Sequence, residues 1–252
     1  MATVKDFYNF IDRLCPFSAQ ESWDNSGFLV GDENKEVTRT AVVLDITNEA
    51  IDYACNIGAQ LIISHHPVIF RAQKSFTKNT PAFELAAHGL SAVCAHTCLD
   101  CAEGGVNDVL ADVLGIQNAE VFPCEGCDSM VRAGVLPDPM SAQELARHIR
   151  ETLGGSVRYC DNGKIIESVA LCGGSGGEFI NDIAKAGIDA YITGDAGHHA
   201  FLDAKEAGLN LFAAGHFETE NPIVTVLANK LRVEFEDTDI IVIPQTSPII
   251  TE

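Results

Sequence analysis

Ser64-His65-His66-Pro67 closes an apolar run, Leu61-Ile62-Ile63, with two neighbouring imidazoles. His96-Thr97-Cys98-Leu99-Asp100 closes a second such run, and Gly215-His216-Phe217-Glu218-Thr219-Glu220 a third. Imidazole nitrogen and carboxylate oxygen are the donors that first-row divalent metals favour. In an open α/β sheet, ligands collect beyond the carboxyl ends of the strands. His65, His66, Asp100, His216 and Glu220 are therefore expected to form one metal site.

Three histidines and two carboxylates are one ligand too many for a single catalytic zinc with an open position. Two divalent ions, in the manner of sites spaced roughly 3.5–4 Å apart, suit the set better. Side chains of neighbouring extended residues diverge, so His65 and His66 can each serve a different ion. His216 and Glu220 are four residues apart and share a face if a helix begins there. The plain alternative is that His65 and His66 merely end a strand before Pro67, and the matching positions of Asp100, His216 and Glu220 weigh against it. His96 reads as a residue orienting Asp100 or transferring protons, while His88 and His148 read as ordinary helical histidines.

Other segments leave two readings open. Asp195-Ala196-Gly197-His198-His199 follows a strand end, where His198 could move a proton and His199 grip a substrate phosphate. Equally, Asp195 and His198 could simply start a helix. Gly173-Gly174-Ser175-Gly176-Gly177 could cradle an anion with backbone amides, or be a tight turn. It matches no complete nucleotide-binding pattern. Cys94, Cys98 and Cys101 have an iron–sulfur spacing, but Cys94 falls inside a strand. Cys124 and Cys127 make a single C-x2-C, too few thiols for a structural zinc, so buried or loop thiols are expected at both places.

The elements that must position these residues alternate. Strands are expected at Thr40–Ile46, Gln60–Ser64, Ser91–Ala95, Glu167–Leu171, Asp189–Thr193, Asn210–Ala214 and Asp239–Pro244. Helices are expected at Asn48–Ile57, Pro81–His88, Val106–Leu114, Ser141–Leu153, Glu178–Ala186, His199–Ala207 and Asn221–Leu231. Ser141 and Glu144 are spaced as a capping box. The rhythm is that of an α/β fold with mostly parallel sheets. Pro123, Gly126 and two cysteines interrupt it, so the expected domains are 1–125 and 126–252, with the last strand free to return to the first.

Bulk properties exclude several classes. With 46% hydrophobic residues the chain is globular. No apolar run approaches the ~20 residues that span a bilayer, and no signal pattern opens the chain. A net charge of −20 argues against nucleic acid as a partner. It leaves room for a small nucleotide held through metals. Nine cysteines without a secreted-scaffold spacing fit a reducing, cytoplasmic setting.

The motifs also recur together, in order: Glu21 to Gly31 (ESWDNSGFLVG), Ile63 to Pro67, His96 to Asp100, Gly104-Gly105-Val106-Asn107-Asp108, Gly173 to Gly176, Thr193-Gly194-Asp195 with His198-His199, and Gly215-His216 with Thr219-Glu220. In these the chain closely resembles the GTP cyclohydrolase I type 2 homologues, or NGG-interacting-factor-three-like proteins, in their short form without an inserted domain. The resemblance implies two interlinked α/β domains with a dinuclear metal site in the cleft between them, and a homohexamer built as a trimer of dimers. It carries the ligand roles onto His65, His66, Asp100, His216 and Glu220. It implies two divalent ions (iron, zinc, manganese or similar) and hydrolytic opening of a guanine ring with formate release. Trp23, the single tryptophan, would then stack on the base, though a core role suits it equally. The family usually has Asn at the position of Cys98. Metal handling, such as iron delivery, and dinuclear phosphohydrolysis are the alternative functions.

Overall fold

The computed structural model describes residues 1–127 and 129–250. In chain order its main elements are α1 (Val4–Leu14), β1 (Gly27–Val30), β2 (Arg39–Val43), α2 (Asn48–Asn56), β3 (Leu61–Ser64), α3 (Pro81–Ala87), β4 (Ser91–Cys94) and α4 (Thr97–Cys101). There follow α5 (Val106–Leu114), β5 (Gln117–Val121), β6 (Arg132–Met140), α6 (Ala142–Leu153), β7 (Arg158–Tyr159), β8 (Ile166–Ser175), α7 (Ile180–Lys185) and β9 (Ala190–Asp195). The chain ends with α8 (His198–Ala207), β10 (Asn210–Ala213), α9 (His216–Glu220), α10 (Pro222–Glu234) and β11 (Asp239–Val242). The described residues form two compact units, 1–102 with 224–245, and 103–223 with 246–250.

The first unit carries a five-stranded sheet in the order β1-β4-β3-β2-β11. All neighbours are parallel except β1 on β4. The continuous apolar runs of β2, β3 and β4 are what a sheet covered on both faces demands, and β3 and β4 are buried at every position. Ala41, Val43, Ile62 and Ala92 pack with Ile51 of α2 and Leu85 of α3. At the start of α1, Asp6 accepts bonds from both the backbone and the hydroxyl of Thr3, a reciprocal cap of the expected kind. Phe7 of α1 stacks on Phe235, just past α10, with ring centroids 3.8 Å apart.

The second unit has six strands in the order β5-β6-β8-β9-β10-β7. Only β8, β9 and β10 are mutually parallel. Apolar cores form on both faces, one under α5 and α6 around Leu110, Leu145, Ile149 and Phe212, the other around Phe179, Ile183, Tyr191 and Leu211. Ser141 and Glu144 make the expected reciprocal cap of α6.

Strands β1, β5 and β7 lie outside the expected ones, and two further features depart from the sequence expectations. First, Phe122 to Cys127 does not separate domains but follows β5 toward β6: Phe122 N–H donates to the Val131 carbonyl, and Cys124 and Cys127 exchange both backbone bonds. The chain crosses between units earlier, after Ala102, and returns within α10 at Val224. Second, the sequence expectations include no strand at Arg132–Met140, yet β6 forms there despite Pro137 and Pro139, which lack the N–H a ladder needs. Both prolines fall between Val135 and Met140, where the register on β8 shifts and no pairing is required of them.

Candidate metal centre

In the first unit, His65 and His66 follow β3 directly, and His96 caps α4, which begins just past the adjacent parallel strand β4. The three rings converge, with one ligand-capable nitrogen of each within 4.8 Å of the others. Every ring is held by a bond at Nδ1. His65 donates to the Ala95 carbonyl at 2.9 Å, and a carbonyl can only accept. His66 Nδ1 lies 2.7 Å from Asp45 Oδ1, and His96 Nδ1 lies 2.8 Å from Asp24 Oδ1. A proton fixed on Nδ1 leaves the Nε2 lone pair for a cation, the arrangement of carboxylate–histidine–metal triads. Asp100, on α4, brings Oδ1 to 3.6 Å from His65 Nε2.

Asp24 is tied tightly into this half. It accepts bonds from His96, from the backbone and hydroxyl of Thr97 (3.0 and 2.6 Å), and from the Ser26 hydroxyl. Burial pushes its carboxyl up, but the bonds from His96, Thr97 and the Asn25 backbone outweigh burial and hold it well below the usual carboxylate range. Nearby, Cys94 donates to the His65 carbonyl, and burial keeps that thiol well above its ordinary pKa. Cys98 is buried, and a hydrogen bond from Cys15 lowers its thiol below the ordinary value. Cys15, Cys55, Cys94, Cys98, Cys124 and Cys160 carry free thiols.

The second unit repeats the device. Gly215 leads from β10 into α9, so His216 and Glu220 stand one turn apart with Nε2 and Oε2 at 3.1 Å. His216 Nδ1 is 2.9 Å from Asp195 Oδ2 at the end of β9. Asp195 therefore orients His216. Gly174 explains the close packing here: its φ is +63°, and a Cβ built on it would lie 2.1 Å from Glu220 Oε1 and 3.3 Å from His216 Nε2. The glycine stretch is thus mostly strand, not an open cradle. Gly173 N–H donates to Asn107 Oδ1, Gly174 N–H to the Thr219 hydroxyl, and Gly176 N–H to the Thr193 hydroxyl.

The remaining sequence candidates fall as follows. Trp23 is 57% exposed, not core, and meets Phe70 and His96 edge-on with centroids at 5.9 and 6.2 Å. His198 and His199 open α8 and are exposed. His148 bonds the Leu114 carbonyl and His88 pairs with Glu84, both ordinary roles. Asp24, Asp45 and Asp195 are the functional residues that the sequence expectation did not assign.

The donor chemistry fits a divalent transition metal: four imidazoles with Nδ1 engaged, and carboxylates beside two of the Nε2 atoms. Fold and donors together define a two-sheet α/β protein carrying histidine–carboxylate groups that could hold a metal ion. The Duf34/NIF3 (NGG1p interacting factor 3) family model matches residues 2–248, and the chain belongs to that family. It is 34% identical over 246 residues to a Clostridium perfringens protein named GTP cyclohydrolase 1 type 2 homolog, covering 94% of each chain. A Clostridium acetobutylicum protein of the same name is also 34% identical, over 90% of this chain and 89% of its own. Among solved structures, a Staphylococcus aureus hypothetical protein superposes with a TM-score of 0.91 at 28% identity, covering 99% of both chains. No helix among the described residues is long and apolar enough to cross a membrane.

Proposed function

We propose that the protein holds two divalent metal ions, through His65, His66, Asp100, His216 and Glu220, and that it is a hydrolase of the GTP cyclohydrolase type. The observation that carries this reading is the Nδ1 partner of every ligand histidine: the Ala95 carbonyl, Asp45 and Asp195. Such partners fix tautomer and ring direction and raise ligand basicity. The bound ions would supply Lewis acidity and make hydroxide available near neutral pH.

The residues around them divide the remaining work. Trp23 and Phe70 offer an exposed aromatic edge beside His96 on which a heterocycle can rest. His96, with Asp24 holding Nδ1, presents Nε2 to move a proton. His198 is assigned as a second proton carrier and His199 as a phosphate contact, both exposed at the start of α8. The names of the clostridial relatives support a purine nucleotide as substrate, with ring opening and formate as product. Metal delivery is the second reading, favoured by the His216 ring, which is 35% exposed and open to exchange with a partner. We propose further that the chain works in the cytoplasm as a homohexamer, a state checked by native mass spectrometry.

The test is metal content and turnover together. His65→Ala and Glu220→Ala should each lower bound metal sharply while circular dichroism and melting stay cooperative. Formate released from GTP by the wild type and lost in His65→Ala supports the hydrolase. Wild-type metal content in both variants would falsify the joint site. Two tightly held ions with no formate sink the cyclohydrolase reading and leave metal delivery.

A further inference from the structure

The chain carries 16 lysines and arginines against 36 acidic residues, so an unpaired guanidinium is unusual on it. Most are occupied. Lys5, Arg13, Arg39, Arg132 and Lys185 each hold a carboxylate. Arg158 bonds the Ala196 carbonyl and Arg232 the Ile240 carbonyl. Arg147 and Arg150 stand apart from these. They lie three residues apart, hence on one face of α6. Among the described residues no carboxylate lies within ion-pair distance of either. Both line one cavity of about 530 Å³ in the second unit, together with Gln143, Ser156 and Tyr159.

The cavity has an aromatic wall as well as a cationic one. Tyr159 stacks on the buried Phe212, centroids 5.5 Å apart and planes within 10°, and remains 39% exposed. It belongs to β7, a two-residue edge strand paired only to β10. The loop between α6 and β7 turns through Gly154 and Gly155, both at positive φ. A Cβ on Gly155 would come within 2.9 Å of the Glu218 side chain, so this loop backs directly onto α9. Two forked cations beside an exposed stacked ring suit a ligand that is anionic at one end and planar at the other. Guanidinium pairs bind phosphate bidentately, and a planar ring gains on an aromatic face. The volume falls in the range of small-molecule pockets, roughly 300–1,000 Å³.

We propose that this pocket is a second ligand site, separate from the metal ligands, that takes the phosphate monoester of a planar heterocycle. Arg147 and Arg150 take the phosphate, and Tyr159 supports the ring.

The experiment is calorimetric titration of the full chain, as purified, with adenosine 5′-monophosphate and, separately, inorganic phosphate. Binding of the nucleotide should weaken at least ~10-fold in Arg147→Gln/Arg150→Gln, the loss expected for charge-assisted bonds. It should weaken about 3-fold or more in Tyr159→Ala, the loss of one aromatic contact. His65→Ala should bind as the wild type does, which separates this site from the metal centre. Arg147→Lys/Arg150→Lys, which keeps the charge without the fork, should fall between. The proposal is overturned if the nucleotide gives no binding, if the double glutamine variant binds equally well, if His65→Ala abolishes binding, or if phosphate alone binds as tightly as the nucleotide. All substituted side chains at this pocket are on the surface, and unchanged melting of each variant confirms that the comparison is between folded proteins.

Discussion

Gly174→Ala is the substitution that probes most directly how the second unit holds Glu220. Two costs can be separated. The first is conformational, because an L-residue at φ +63° pays about 1–2 kcal/mol for the left-handed region. The second is steric: the new methyl would lie 2.1 Å from Glu220 Oε1 and 3.2 Å from its Cδ. Glu220 is 4% exposed, so its carboxylate has no solvent to swing into, and overpacking of this kind adds about 1–3 kcal/mol. Gly115→Ala is the control. Gly115 has φ +70° with nothing within 4 Å of its Cβ direction, so it pays the first cost alone. At roughly 2–4 °C per kcal/mol, Gly115→Ala should lower Tm by about 2–8 °C and Gly174→Ala by about twice as much. Differential scanning calorimetry reads both, and metal analysis of the same samples should show Gly174→Ala depleted and Gly115→Ala unchanged. Equal Tm values for the two variants would refute the claim that Gly174 is there to make room for Glu220.

Asp45→Asn and Asp195→Asn remove the carboxylates that hold His66 and His216 at Nδ1. Each should weaken metal binding about 10–100-fold with little effect on melting, as measured by competition with a chromogenic chelator; unchanged affinity would remove the orienting role. Asp189 accepts bonds from the Glu167 and Ser168 backbones and the Ser168 hydroxyl. Burial raises its carboxyl, but these bonds outweigh it and hold it below the ordinary aspartate range. A depressed folded pKa means stability that is fully present above the unfolded value and lost as pH falls through the folded one. Asp189→Asn should therefore flatten the acid limb of an unfolding-versus-pH profile below about pH 4, and a limb as steep as the wild type's would contradict it.

The metal-ligand candidates were legible because strand ends announce themselves: an apolar run stops, and a histidine or carboxylate follows. The partners on Nδ1 were not, because each lies about 20 to 70 residues from its histidine. Yet sheet register contains them. Val43 pairs with Ser64 across β2 and β3, so two residues further on Asp45 falls beside His66. Thr193 pairs with Ala213 across β9 and β10, so Asp195 falls beside Gly215, one residue short of His216. Gly27 pairs with Cys94 across the antiparallel β1 and β4, which carries the chain before β1 back past His96 and puts Asp24 within reach of its ring. Asp45 and Asp195 thus lie at the carboxyl end of the parallel neighbour of the strand that supplies the histidine, while Asp24 precedes its antiparallel neighbour. The rule that found the ligands, residues beyond strand ends, finds their partners too once strand order is known. Strand order is the one thing that local periodicity does not encode. In the first sheet, β11 arrives from far along the chain to flank β2, and in the second, the edge strand β7 precedes β8 in sequence but pairs with β10. The same blindness hid the turn at Cys124–Cys127: a bend after β5 and a linker between domains use the same proline, glycine and cysteine residues, and only the backbone pairing of Phe122 with Val131 and of Cys124 with Cys127 tells them apart.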